Sequence, residues 1–382
     1  MKLIFWISAF FVFYPYAGYP LILWINGLFS SRRKKVLIRE STPFVSVVVA
    51  VKNEEKNIQN RINNLLLQSY PKNRFEIVVA SDGSTDSTNE IVSRMAREIR
   101  SQFNDPKIIF TSYHPSRGKS VAINEGVKNA NGEILVFTDA RQRFQVDAIK
   151  NLTSILNDPT IGCVSGELLF EDEAEGKDKT EIGLYWRYEK WIRKQESLSG
   201  SIVGATGAIY SIRKALFEPM PANTVLDDVL IPMIIVQKGF SAVFCDEAKA
   251  YDRLSSRIID EWRRKVRTLS GNWQLLSINS NFILPWRNPL WFRFVSHKVL
   301  RLIVPFLLPI VLLSCASVQD PFYKALTFTQ LFIYSLALLS YIVPAVRNVR
   351  FVNLCYFFIL MNAAAVVGFY HWLMGNTAKI WR

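Results

Sequence analysis

The chain has 382 residues, a formal net charge of +14 at pH 7 and a composition that is 50% hydrophobic. Its mean hydropathy of +0.13 excludes an ordinary soluble enzyme, and its length exceeds that of one typical domain. We therefore expect lipid-facing segments beside a polar domain.

The N-terminal segment predicts a membrane anchor at residues 1–30. Leu3 to Leu28 contain no charged residue, and a helical span needs about 20 apolar residues. A cleaved signal peptide is the alternative, but the apolar stretch is too long, and no small-residue cleavage site precedes the basic cluster Ser31-Arg32-Arg33-Lys34-Lys35. Because cytoplasmic flanks carry an excess of positive charge, we expect the domain that follows, residues 31–256, to be cytoplasmic.

Residues 31–256 predict one α/β domain. Apolar runs indicate four strands, at Phe44 to Val51, Phe75 to Ala80, Lys107 to Thr111 and Ile134 to Thr138. Residues at helical spacing lie between them, first Ile58, Ile62, Leu65 and Leu66, then Ile91, Val92, Met95 and Ile99. This alternation favours a mostly parallel sheet with flanking helices, which binds ligands beyond the carboxyl ends of its strands.

Polar residues follow those strands. Asp82 offers a carboxylate to a nucleobase N–H, and Gly83 lets backbone come close; an ordinary turn with a helix cap is the alternative. Lys119 opens a helix after the third strand, where a cation and backbone amides suit phosphate. Asp139 ends the fourth strand, within reach of a ribose or a metal. Together these residues predict a nucleotide-sugar site.

The segment at residues 257–297 predicts amphipathic interface helices. Apolar residues share one helix face opposite the cations, a pattern typical of a membrane surface: Ile258, Ile259, Trp262, Val266, Leu269 and Trp273. We expect Arg263, Arg264 and Lys265 to form a solvated basic face.

Residues 298–382 predict a transmembrane region of about three spans. They are Val299 to Val318, Ala325 to Val346 and Phe351 to Trp372. Four complete crossings would leave Lys379 and Arg382 outside, which the positive-inside rule disfavours. An interfacial or re-entrant segment is therefore the alternative to four full spans.

The remaining charge and ligand signals argue against other protein classes. Much of the positive charge lies beside apolar segments, which favours anionic lipid headgroups over nucleic acid. The four cysteines are scattered and predict neither disulfides nor a zinc site, and the three histidines are too far apart to suggest a histidine metal site.

Six motifs occur in one order between Val45 and Trp273. They are Ser46-Val-Val-Val-Ala-Val-Lys-Asn-Glu-Glu55, Ser81-Asp82-Gly83-Ser84, Gly118-Lys119 through Asn124, Thr138-Asp139-Ala140-Arg141, Gly204-Ala-Thr-Gly-Ala-Ile-Tyr-Ser-Ile-Arg213 and Leu226-Asp227-Asp228. The series resembles the family 2 glycosyltransferases of GT-A fold, which include the cellulose, hyaluronan and poly-N-acetylglucosamine synthases. The resemblance implies a GT-A fold and transfer of a sugar from a nucleoside-diphosphate donor.

The resemblance also implies residue roles. Asp228 would be the base that deprotonates the acceptor hydroxyl in an inverting transfer, with its pKa raised by nearby anions; a helix cap is the alternative for the Asp227-Asp228 pair. Asp139 would be the metal ligand. The residues implied to bind substrate are Asn53, Glu54, Asp82, Lys119, Asp139, Arg141, Thr206, Gly207, Asp227, Arg264, Arg267 and Trp273.

Two departures from the family pattern affect these roles. Arg141 stands where a second carboxylate would bind Mg²⁺ or Mn²⁺, and three alternatives follow: fewer protein ligands hold the metal, Arg141 partly replaces it, or Arg141 points into solvent. In the best register with Gln-x-x-Arg-Trp, Arg264 replaces Gln, Arg267 keeps the diphosphate contact and Thr268 replaces the Trp that supports the terminal sugar. Trp273 is the candidate substitute.

The sequence therefore predicts an inverting glycosyltransferase in the cell (inner) membrane, with a cytoplasmic catalytic domain. The expected partners are a UDP-sugar, a growing polysaccharide or lipid-linked glycan, and membrane lipids, without nucleic acid. A single-transfer enzyme acting on a polyprenyl-phosphate carrier and a membrane protein that binds sugar nucleotides without turnover are the alternatives. A transporter is disfavoured because the spans contain almost no charge.

Overall fold

The computed structural model describes residues 1–29, 42–102, 106–170, 181–253 and 258–377. The basic cluster at residues 31–35, Lys379 and Arg382 lie outside these ranges, and so do the predictions made on them.

The polar domain is built on an eight-stranded sheet. Its strands are β1 Val45–Val51, β2 Phe75–Asp82, β3 Lys107–Tyr113, β4 Ile134–Thr138, β5 Arg143–Phe144, β6 Ile161–Phe170, β7 Tyr210–Arg213 and β8 Ser241–Asp252. The spatial order is β3-β2-β1-β4-β7-β6-β8-β5. The first four strands pair in parallel, as predicted, but β7 is antiparallel to β4 and β6, and β5 is antiparallel to β8. The α/β prediction is confirmed, with a sheet that is mixed.

Thirteen α-helices lie within the described residues. They are α1 Lys2–Phe13, α2 Tyr19–Phe29, α3 Ile58–Leu66, α4 Thr88–Gln102, α5 Lys119–Asn129, α6 Ala148–Leu156, α7 Glu181–Leu198, α8 Asp227–Gln237, α9 Ile258–Ile278, α10 Trp291–Phe294, α11 Leu300–Ala316, α12 Pro321–Ile342 and α13 Arg350–Leu373. π-helical turns at Tyr14–Gly18 and Val295–Val299 join α1 to α2 and α10 to α11.

Helices cover both faces of the sheet because its central strands are apolar on both sides. On one face, Val47 and Val49 of β1 pack with Ile58 and Ile62 of α3. On the other face, Val48 packs in a cluster with Ile123 of α5. Side chains alternate across a strand, so these two clusters hold the carboxyl ends of β1, β2 and β4 side by side.

Among the described residues, four helical segments are long and apolar enough to cross a membrane, by length and composition. They are Lys2–Phe29, Trp291–Ala316, Pro321–Ile342 and Arg350–Leu373, close to the predicted segments. Large side chains are exposed along them, including Phe13, Phe328 and Tyr341, as expected of surfaces that face lipid.

The polar domain contacts the apolar helices through α7. Ile192 of α7 is fully buried against Tyr19 and Leu23 of α2. Arg293 of α10 donates hydrogen bonds to the carbonyl oxygens of Ser199, at 2.7 Å, and Ser201, at 2.6 Å. The helix α7 therefore joins the polar domain to the apolar helices.

The amphipathic helix α9 packs on the C-terminal span. Trp273 stacks on Trp372 with ring centroids 5.6 Å apart, and the backbone of Ser270 lies against Gly368. The place of α9 at a membrane surface stays a prediction, and α13 covers much of its apolar face. Lys265 corrects one expectation: it is 8% exposed, so it does not belong to a solvated basic face, although Arg263 is exposed.

Candidate active site

A cavity of about 820 Å³ lies where the carboxyl ends of β1, β2 and β4 meet helices α7, α8 and α9. Its lining includes every predicted site residue except Trp273. Two ends can be distinguished. The nucleotide end, named after the ligand that the sequence predicts, is defined by Asp82, Lys119, Asp139 and Arg267. The membrane end, named after the apolar helices beside it, is defined by Glu189, Arg193, Glu196, His297 and Lys298.

The loop after β1 fastens the loop after β2. Asn53 adopts φ +53°, an uncommon conformation that asparagine tolerates. Its Oδ1 accepts from the backbone N–H of Thr85 at 2.8 Å, while the Glu54 backbone N–H donates to Thr88 Oγ1 at 2.8 Å. The two predicted binding residues thus shape one rim of the cavity.

Asp82 orders the loop that leads into α5. Its carboxylate accepts from Tyr113 Oη, Ser116 Oγ and the backbone N–H groups of Arg117 and Gly118, at 2.7 to 3.0 Å. Burial opposes ionisation, but these donors hold the pKa of Asp82 below its ordinary value. The predicted contact with a nucleobase stays a prediction, while the structure gives this carboxylate a loop-ordering role that the sequence did not reveal.

Lys119 joins two carboxylates from different elements. Its Nζ lies 2.9 Å from Asp139 Oδ1, at the end of β4, and 3.3 Å from Asp227 Oδ1, at the start of α8. Burial would lower the pKa of Lys119, but the two carboxylates raise it above its ordinary value. Asp227 also accepts from Tyr210 Oη at 3.1 Å. These contacts hold Asp227 in place beside Asp228.

Asp228 faces the cavity next to a tight backbone turn. Its Oδ2 accepts from the Gly207 backbone N–H at 3.1 Å, and a Cβ on Gly207 would lie 3.1 Å from the same oxygen. Burial and then the neighbouring charge of Asp227 raise the pKa of Asp228 to about 6, against the opposing effect of Lys119, Lys298 and Arg193. A carboxyl group with this pKa can accept a proton near neutral pH.

Thr206 connects Asp228 to the membrane end. Its backbone N–H donates to Ser165 Oγ at 3.0 Å, and its hydroxyl accepts from Arg193 of α7. Burial lowers the pKa of the Arg193 guanidinium, partly offset by Glu189, Asp228 and Glu196. The glycine segment therefore lies between the carboxylate pair and a buried cation.

Three further arginines line the nucleotide end. Arg141 is exposed, and Arg264 pairs with Glu261 at 3.4 Å. Burial opposes ionisation of Asp139, but Lys119, Arg141 and Arg267 together hold the pKa of this carboxyl below its ordinary value. This arrangement suits a diphosphate, which needs cations from several sides.

A metal at this end has a limited set of protein donors. Within the described residues, no group of three His, Cys, Asp or Glu side chains is placed to hold a metal ion. A Mg²⁺ or Mn²⁺ ion that took one carboxylate from Asp139 and its other ligands from diphosphate oxygens and water would fit this donor set. An ion held by three protein side chains would not.

Sequence reasoning missed Arg61, which supports the Asp139 loop. This α3 side chain is 1% exposed and donates to Thr138 Oγ1 at 2.8 Å and to the Gln142 carbonyl at 2.9 Å. Its guanidinium lies 4.0 Å from the centroid of the Phe144 ring. An arginine in an apolar helical pattern was the available signal, because such a cation requires buried partners.

The membrane end contains a buried charge network that the sequence did not predict. His297 Nδ1 lies 2.8 Å from Glu196 Oε1, and its Nε2 lies 3.1 Å from Glu189 Oε2. Arg301 pairs with Glu189, and Tyr19 Oη donates to Glu196 at 2.6 Å. These residues belong to α2, α7 and the helix around α10 and α11, so no local motif could reveal them.

The aromatic platform predicted from Trp273 is not formed. Trp273 is turned toward Phe369 and Trp372, outside the cavity, because α13 offers it an aromatic surface. Thr268 lines the cavity instead, and Tyr185 and Trp186 of α7 line the opposite side. Lys265 Nζ lies 3.7 Å from the Tyr185 ring centroid and so covers that ring.

Comparison with known proteins gives the family of the polar domain. Residues 46–220 match the family model described as Glycosyl transferase family 2. Over 281 residues, 70% of this chain, the sequence is 22% identical to a poly-β-1,6-N-acetyl-D-glucosamine synthase of Staphylococcus aureus, and the match spans 66% of that relative's length. The corresponding Staphylococcus epidermidis enzyme is 24% identical over 236 residues, covering 61% of this chain and 55% of its own length.

A solved structure resembles nearly the whole chain. It is the mannosyltransferase PcManGT from Pyrobaculum calidifontis, in complex with GDP-Man and Mn²⁺, with a TM-score of 0.69 and 22% identity over 97% of this chain and 99% of that one. At this identity the similarity shows the fold, which joins a GT-A domain to the apolar helices.

Proposed function

We propose that this chain, a glycosyltransferase whose family 2 domain occupies residues 46–220, transfers a sugar with inversion from a nucleoside-diphosphate sugar to an acceptor at the membrane. The observation that carries the proposal is the position of Asp228. Its carboxylate, with a pKa raised to about 6, shares one cavity with the cationic nucleotide end.

At the nucleotide end, charge is arranged for a diphosphate leaving group. Lys119, Arg141 and Arg267 come from three separate elements and line the same end. As the bond between the anomeric carbon and the diphosphate breaks, negative charge grows on the diphosphate oxygens, and fixed cations stabilise that charge. A divalent cation held by Asp139 would add to the same neutralisation.

At the acceptor side, Asp228 takes the proton of the attacking hydroxyl. Asp227 is already held by Lys119 and Tyr210, so its negative charge stays close and makes Asp228 a stronger base. The backbone N–H of Gly207 orients the Asp228 carboxylate. Attack from the face opposite the leaving group gives inversion.

The donor we propose is a UDP-sugar, in line with the sequence resemblance to polysaccharide synthases. A GDP-sugar is the second candidate, because PcManGT was solved with GDP-Man and resembles this chain over nearly its full length. The acceptor is a glycan or lipid-linked glycan reached from the cytoplasmic side of the cell (inner) membrane. The lack of an aromatic platform at Thr268 favours a single transfer over processive synthesis.

Hydrolysis of the donor by the purified full chain tests this proposal. UDP and GDP forms of glucose, N-acetylglucosamine and mannose are incubated with the protein in detergent, and released nucleotide is measured with wild type and with Asp228→Asn. We expect nucleotide release above background for at least one donor. A protein that binds nucleotide but releases none from any donor, even in the presence of native membranes, would be a binder without turnover.

A further inference from the structure

The membrane end of the cavity contains more positive charge than its own carboxylates neutralise. Arg301 pairs with Glu189, and His297 contacts both Glu189 and Glu196. Arg193 and Lys298 are left over. Neither lies within 4.0 Å of a carboxylate among the residues that the structure describes.

Both leftover cations face the cavity from elements that border the apolar helices. Arg193 lies on α7, which packs against α2, and Lys298 lies in the π-helical turn within the span Trp291–Ala316. The Arg193 side chain donates one hydrogen bond, to Thr206 Oγ1. The Lys298 side chain makes none with the described residues. Both side chains are half-buried, so an anion that enters the cavity can pair with both of them.

The contacts of these two cations relate them to Asp228, the proposed base. Arg193 donates to the hydroxyl of Thr206, and the next residue, Gly207, donates its backbone N–H to Asp228. Lys298 directly follows His297, which contacts Glu189 and Glu196 on either side of Arg193 along α7. Lys119, by contrast, pairs with Asp139 at the nucleotide end. An anion at Arg193 and Lys298 would therefore lie on the acceptor side of Asp228. It would be separate from the donor diphosphate.

We infer that Arg193 and Lys298 form a binding site for the phosphate headgroup of a lipid-linked acceptor, which enters from the membrane and presents a sugar hydroxyl to Asp228. A lipid is indicated because helices of the apolar region form this end of the cavity, so a hydrocarbon chain can remain beside them. The inference rests on the proposed function and names the acceptor class of the same site.

Binding of a lipid phosphate can be measured without any donor sugar. The full chain is reconstituted in nanodiscs of uncharged phosphatidylcholine, and binding of radiolabelled farnesyl phosphate is measured with saturating UDP present. We expect saturable binding that UDP does not abolish. Farnesol, which lacks the phosphate, should compete at least about tenfold more weakly, because a charge-assisted contact contributes about that factor. Inorganic phosphate, which lacks the hydrocarbon chain, should also compete at least about tenfold more weakly, because it buries no apolar surface.

Variants assign the site to the two cations. Arg193→Gln and Lys298→Gln should each weaken farnesyl phosphate binding about tenfold or more, while Lys298→Arg should retain most of it. Lys194→Gln is the matched control, since Lys194 lies next to Arg193 on α7 but is exposed and pairs with Asp246 at 2.6 Å. Retained UDP binding shows that each variant is folded.

Three results would overturn the inference. Equal binding of farnesol and farnesyl phosphate would show that the phosphate charge does not contribute to binding. Equal competition by inorganic phosphate would show that the hydrocarbon chain does not contribute. Displacement of farnesyl phosphate by UDP, or unchanged binding in both Gln variants, would show that the phosphate does not bind at Arg193 and Lys298. Failure of the proposed function is distinguishable, because donor hydrolysis by wild type is measured separately.

Discussion

The two ends of the cavity are built in different ways. The nucleotide end takes Asp82 and Asp139 from the ends of β2 and β4 and Lys119 from the helix that follows β3, and α9 adds Arg267. The membrane end joins Glu189 and Glu196 to His297, about 100 residues later. The first end depends on sheet topology, and the second depends on how α7 packs against the apolar helices.

The two ends therefore have different expected roles, one in the reaction and the other in stability. At the nucleotide end, charged groups remain accessible to a ligand, as the exposed Arg141 illustrates. At the membrane end, Glu189 and Glu196 are buried, both contact the buried His297, and Arg301 pairs with Glu189. We therefore expect substitutions at the first end to reduce turnover with the fold intact, and substitutions in the second network to reduce stability.

The largest expected effect is on turnover. Asp228→Asn removes the base, so transfer should fall by a factor on the order of 10² to 10⁴ while nucleotide affinity and thermal stability are kept. Asp246→Asn, an exposed carboxylate that pairs with Lys194, is the control. Near-normal transfer by Asp228→Asn would contradict the assignment of the base.

The next effect is on stability at the membrane end. Arg301→Met leaves Glu189 buried without its arginine partner, which should lower the free energy of unfolding by about 3 to 5 kcal/mol. Thermal unfolding in detergent measures the loss. Lys324→Met is the control, because Lys324 is exposed on another apolar helix. Equal unfolding temperatures for both variants would show that the buried network does not stabilise the assembly.

A smaller effect concerns pH. Asp228 acts in its ionised form, so the rate should fall as pH drops through about 6, its raised pKa. Asp227→Asn removes a neighbouring negative charge and should move this acid limb to lower pH. Tyr210→Phe removes a hydrogen bond to Asp227 but keeps both charges, so its limb should stay in place. The measurement is kcat/KM from about pH 5 to about pH 8. An acid limb that does not shift in Asp227→Asn would show that the charge of Asp227 does not raise the pKa of Asp228.

The smallest effect concerns Arg141 and the metal. If this guanidinium helps to neutralise the diphosphate, the wild type should keep partial activity in EDTA. Arg141→Ala should lose activity, and Arg141→Asp should become strictly dependent on Mg²⁺ or Mn²⁺. Arg143→Ala, an exposed arginine over Tyr251, is the control. Complete loss of wild-type activity in EDTA, with a normal rate for Arg141→Ala in added metal, would show that Arg141 does not help to neutralise the diphosphate.

Much of the nucleotide end could be predicted because its information is local. The run Val45 to Val51 and the polar residues after it specify a buried strand followed by a loop, and parallel strands bring such loops to one edge. Lys119 and Asp139, which this logic places at the same edge, line one cavity, whereas Asp228 was assigned from the family resemblance. The strand logic has limits. It did not reveal the partners of Asp82 or the support that Arg61 gives to Thr138, since those contacts depend on side-chain packing.

The sequence by itself determined the elements: apolar strands and spans, polar strand ends and their order, because these follow from hydrophobic periodicity and length. Only the tertiary structure decided which surfaces meet. The packing of α9 on α13 turned Trp273 away from the cavity and buried Lys265, and the packing of α7 on α2 and α10 brought Arg193 and Lys298 to one cavity. Such contacts depend on the fit of surfaces distant in sequence, which no single segment encodes.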